Sequence, residues 1–126
     1  MQRLDEINSG IVHLYKEEFG RAPAKVRSTF AGPDMIVSSV EDILTLSERR
    51  LVQDGKPDLV RDTRASMHDV TDYAFIALAE RSTGRQVSEF ASGIDVDHNW
   101  AVEVFSFVPD ATGEHSWAAM TGLVRE

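Results

Sequence analysis

Apolar residues near the N-terminus fall at Leu4, Ile7, Ile11, Leu14 and Phe19, with Val12 and Tyr15 widening the stripe. Steps of three, four and five keep them on one side of a helix, so the spacing predicts an amphipathic helix ended by Gly20. The period then changes. In Lys25–Phe30, Val26 and Phe30 point one way while Lys25, Arg27 and Thr29 point the other. A second β-rich run, MIVSSV at 35–40, follows the turn signal Gly32-Pro33-Asp34, and the pair predicts an antiparallel hairpin.

Thr45-Leu46-Ser47-Glu48 has the form of a capping box, in which a hydroxyl covers the amide three residues on and the Glu reaches back. It predicts a short helix over 46–54, stopped by Gly55. A longer helix is expected after Pro57. Leu59, Val60, Met67, Val70, Ala74, Ala77 and Leu78 form its apolar side, Arg61, Arg64, Asp69 and Asp72 lie outside, and Gly84 ends it.

Two strand-like runs close the pattern, RQVSEFAS at 85–92 and WAVEVFSFV at 100–108. In the second, Val102, Val104 and Val108 share one face, and Glu103, Phe105 and Phe107 share the other. The order α-β-β-α-α-β-β predicts an α+β two-layer domain, a four-stranded antiparallel sheet with helices on one face. Residues 1–108 are read as a single domain and 109–126 as a C-terminal tail or short helix. If Phe105 and Phe107 lie on the uncovered face, that face needs a partner. A homodimer formed sheet to sheet, or through the first helix, would supply it.

Composition narrows the function classes. A net charge of −8 on 126 residues opposes phosphate binding, so neither a nucleic-acid partner nor an anionic membrane surface is expected. The absence of cysteine removes disulfides, thiolate metal sites and a cysteine nucleophile, and fits a cytoplasmic protein. No run reaches the roughly 20 apolar residues of a membrane-spanning helix, so direct insertion is not expected. The N-terminal residues lack the apolar centre of a signal peptide.

Two clusters carry candidate chemistry. In DVDHNW, Asp95, Asp97 and His98 offer carboxylate oxygens and an imidazole to a divalent metal. The spacing is not that of a calcium loop, and a zinc site would want more imidazoles or thiolates. A polar turn between strands, with Asp and Asn capping backbone groups, is the preferred reading. The second cluster is cationic. Lys25 and Arg27 share a strand face, and Arg61 and Arg64, one helical turn apart, could hold a carboxylate, phosphate or bicarbonate together. Pairing with the surplus acids Glu48, Asp58 and Asp62 is the plainer fate of the middle-helix arginines. His68, beside Met67, reads as a helix-packing residue. No Ser stands in G-x-S-x-G and no glycine loop has a phosphate-binding form.

The strings Ile11-Val-His-Leu-Tyr-Lys-Glu-Glu-Phe-Gly-Arg21 and Pro23-Ala-Lys-Val-Arg27 resemble a bacterial family. So do Leu44-Thr-Leu-Ser-Glu48, Asp58-Leu-Val-Arg61, Thr83-Gly-Arg85 and Ala101-Val-Glu-Val-Phe105, in order and over most of the chain to Val108. The family is that of MpsC, the third component of the sodium-translocating membrane-potential-generating system. The resemblance implies a small accessory protein linked to membrane ion or inorganic-carbon transport, with no catalytic residues to carry over. The expectation is a non-enzymatic, homodimeric accessory or regulatory domain without a cofactor. It would act by protein or small-anion recognition through Lys25, Arg27, Arg61 and Arg64, with a membrane-transport protein as partner. The alternative is a small-molecule sensor or metal-dependent enzyme using Asp95, Asp97 and His98.

Overall fold

Gly20, at a φ of +81°, turns the chain out of the first helix and into a four-stranded sheet. The computed structural model describes residues 2–109. Its elements are α1 (Gln2–Phe19), β1 (Lys25–Phe30), β2 (Met35–Glu41), α2 (Leu46–Gln53), α3 (Pro57–Ser66), α4 (His68–Thr83), β3 (Val87–Asp95) and β4 (Trp100–Phe107). The fold is α+β, with the sheet order β1-β2-β4-β3 and every neighbouring pair antiparallel. The two predicted hairpins join through β2 and β4, which therefore occupy the middle.

The core lies between this sheet and α1 and α4. Ile7, Ile11 and Tyr15 of α1 are buried, and Gly10 lets the helix lie so close to α4 that a Cβ there would meet Leu78. From the sheet come Ile36, Val40, Ala101, Phe105 and Phe107. A run of rings crosses the interface, Phe19, Tyr15, Phe75, Phe90 and Phe105, with successive centroids 5.1 to 5.9 Å apart. Burying each such ring contributes about 2 kcal/mol.

Phe105 and Phe107 are thus on the covered face, which corrects the conditional reading that put them on the open one. Because β4 is central, residues on both its faces are enclosed by neighbouring strands, and alternation alone did not say which face the helices take. The open face carries Met35, Val37, Trp100, Val102 and Val104 instead.

The long helix expected after Pro57 is two helices, separated at Met67. Ser66 Oγ donates to the Thr63 carbonyl at 2.7 Å, and the Met67 amide bonds Arg64 O at 3.2 Å. The last turn of α3 tightens to this i→i−3 bond, and α4 starts at His68. Leu59 and Val70, expected on the apolar side, are exposed, and Arg64, expected outside, is only 8% exposed because it shares the face of the buried Val60 one turn earlier in α3. The proposed tail at 109–126 falls, apart from Pro109, outside the described residues.

Candidate functional site

The residues singled out in the sequence occupy three different places. Lys25 and Arg27 stand on β1, opposite Glu41 and Ser39, on the open face of the sheet. Arg61 and Arg64 belong to the helical layer and hold different carboxylates. Arg61 contacts Asp58 at 2.5 Å and Asp97 at 3.3 Å, near solvent. Arg64 grips Glu48 with two nitrogens at 2.8 and 2.7 Å, donates to Ile43 O at 3.0 Å, and lies 4.1 Å over the Phe19 ring. The capping box that opens α2 is formed, so Glu48 serves Thr45 and Arg64 at once. Burial pushes the Glu48 carboxyl up, but the Arg64 and Thr45 hydrogen bonds and the Arg64 charge outweigh it, and its pKa is lowered.

DVDHNW forms the end of β3 and the turn into β4. Asp95 accepts the His98 amide at 3.2 Å, and its other oxygen lies 2.9 Å from His98 Nδ1. Among the described residues, no three His, Asp or Glu side chains converge as a metal site. Asn99 holds this turn against the rest of the protein. At a φ of +56° it accepts the amides of Ile43 and Leu44, both at 2.7 Å, and donates to Asp42 Oδ1 at 2.9 Å. Asn tolerates this backbone conformation better than most residues.

The site that composition and spacing did not single out lies beneath α3 and α4. A partly enclosed cavity of about 80 Å³ is bounded by Tyr15, Phe19, Arg61, Arg64, His68, Asp72, Phe75, Ser92 and Glu103, among others. Glu103 is 1% exposed, on the core face of β4 between Ala101 and Phe105. The Tyr15 hydroxyl donates to its Oε2. Its Oε1 is buried with no hydrogen-bond partner among the described residues; the Ser92 hydroxyl, across on β3, lies near enough to favour the charged carboxyl without closing a bond to it.

The charges around this carboxyl explain its state. Burial pushes Glu103 up to about 7, and Asp72 adds to the rise, while the Tyr15 and Ser92 hydroxyls and His68 pull the other way. The same burial, together with the Glu103 charge, raises the Tyr15 phenol well above its usual value. Asp72 is itself held by His68, whose Nδ1 lies 3.2 Å from Oδ1. A signal for this site did exist in the sequence. Glu103 alternates in phase with Phe105 and Phe107, which places a carboxyl on an apolar strand face.

Comparison with known proteins agrees with the resemblance in the sequence. No curated protein and no solved structure matches the chain. A family model described as "Na+-translocating membrane potential-generating system (MpsC)" matches residues 1–108. That span includes every described element and all the site residues above, and the chain belongs to the MpsC family.

Proposed function

We propose that this chain is a non-enzymatic, cytoplasmic accessory domain of a membrane ion-transport system, and that it acts by surface recognition as a homodimer. The family description supports the link to a membrane ion system. Among the described residues, no helix is long and apolar enough to cross a membrane. A membrane-transport protein is accordingly the partner class proposed for the dimer.

The observation that carries this reading is the open face of the sheet. Its centre is apolar, with Val37 opposite Val104, and Met35, Val102, Ala91 and Trp100 around them, beside Ser39 and Ser106 and with Glu41 at one end. Its edges differ in sign. Lys25 and Arg27 stand on β1, and Glu89 and Asp95 on β3. A twofold axis along the strands, between β2 and β4, sets β1 of one copy over β3 of the other, with Lys25 in the row of Asp95. Two sheets packed at about 10 Å would bury the valines and pair the edges twice. Lys25 and Arg27 are in this reading interface residues.

Charge reversal tests the arrangement. Lys25→Glu with Arg27→Glu makes both edges acidic, and Glu89→Lys with Asp95→Lys makes both basic. Each variant alone is expected to be monomeric, and an equal mixture is expected to form a heterodimer. Variants that each dimerise as the parent chain does would overturn it.

A further inference from the structure

The charged groups at the cavity are balanced with one exception. Arg64 is engaged by Glu48, Arg61 by Asp58 and Asp97, and His68 by Asp72. At this cavity, among the described residues, Glu103 alone has a buried oxygen without a partner. Tyr15 serves the other oxygen, the Ser92 hydroxyl across on β3 lies near without closing a bond, and the walls beside them include the rings of Phe19 and Phe75. An unmet buried acceptor costs about 1–3 kcal/mol, so a ligand that brings a donor to it recovers that cost.

We propose that the cavity binds a small primary ammonium compound, its nitrogen against Glu103 Oε1 and its carbon chain against the rings of Phe19 and Phe75. The carboxyl needs an N–H or O–H donor, which a quaternary ammonium lacks. The ammonium gains from the carboxylate in an enclosed setting, and its carbon chain gains from apolar contact with the rings of Phe19 and Phe75. Carboxylate and phosphate ligands meet guanidinium groups already taken and a carboxyl of their own sign. A metal ion would find too few free oxygens, since Asp72 is occupied by His68. At about 30 Å³ for each water-sized group, a cavity of about 80 Å³ takes roughly three, room for the ammonium and its first carbons, and the rest of a four-carbon chain extends through its open side. Ala65, His68, Ser92 and Gly93 at its edge are exposed, so a ligand has a way in. This site lies on the helix side of the sheet and does not depend on the dimer.

The test is calorimetric titration of the whole chain with n-butylammonium near pH 7, in two buffers of different ionisation enthalpy, with butyrate as control. Saturable one-to-one binding of the amine is expected, with release of about half a proton as the ammonium draws Glu103 into its charged form. Glu103→Gln is expected to weaken binding at least tenfold. Ala65→Trp, at an exposed position on the rim, is expected to block it while leaving Glu103 in place, and decides the matter if Glu103→Gln does not fold. Absence of saturable amine binding, equal binding by a folded Glu103→Gln or by Ala65→Trp, or binding of butyrate in preference, would overturn the proposal.

Discussion

The Tyr15 hydroxyl, on the first helix, donates a hydrogen bond to Glu103 Oε2 on the last strand, 88 residues further along. The contact ties α1 to the middle of the sheet and puts a titrating carboxyl inside the aromatic part of the core. Glu103 keeps its proton in the folded protein to about pH 7, whereas in the unfolded chain it loses it near the ordinary glutamate value of 4.5. Between those values the native state binds more protons, so stability from this group is full below about pH 4.5 and is lost as pH rises to about 7. The loss is about 3 kcal/mol. Glu103→Gln, which cannot ionise, should flatten this part of the profile and exceed the parent protein in stability at pH 8. Urea unfolding at half-unit steps from pH 4.5 to 8 measures both slopes. Identical slopes would show that Glu103 does not titrate in this range.

Arg61 and Arg64 sit a turn apart but should respond very differently to removal. Arg64→Ala leaves the Glu48 carboxylate without its two-nitrogen partner in a buried setting, at a cost of about 3 kcal/mol. Arg61→Ala loses two ion pairs close to solvent and should cost less than about 1 kcal/mol. Chemical denaturation of the two variants side by side gives the comparison, and equal losses would contradict the burial assigned to Arg64.

Asn99 fastens the DVDHNW turn to Asp42, Ile43 and Leu44. Asn99→Ala removes acceptors from two amides and places a Cβ-bearing residue at positive φ without a compensating side chain, which should cost about 2–4 kcal/mol. Asn99→Gly keeps the backbone conformation easy and loses only the hydrogen bonds, so it should be the milder change. Thermal unfolding that ranked the two in the opposite order would place the main effect elsewhere.

The asymmetry between what was legible in the sequence and what was not has physical causes. Helix ends and hairpins are local, set by Gly20, by the Thr45 and Glu48 capping box and by Gly32-Pro33-Asp34, and these could be read from the chain. The break at Met67 is marked by no Gly or Pro, and spacing does not reveal it. The side of β4 that meets the helices depends on where Tyr15 and Phe75 arrive, two elements distant in sequence. The Glu103 cavity is assembled from α1, α3, α4, β3 and β4, so its members are scattered. Only the out-of-place charge among Ala101, Phe105 and Phe107 marked it. The cationic candidates were visible as residue types, but their separation onto two faces of the molecule was not.

Sedimentation equilibrium of the parent chain and of Val104→Glu tests the recognition account most directly. Val104 lies opposite Val37 at the centre of the open sheet face, where a charge cannot be buried against a second copy. The account predicts a parent species of about 28 kDa, twice the 14.0 kDa chain, at tens of micromolar, and a Val104→Glu monomer with an unchanged circular dichroism spectrum. A parent protein that stays at single-chain mass, or a Val104→Glu variant that stays dimeric, would contradict it.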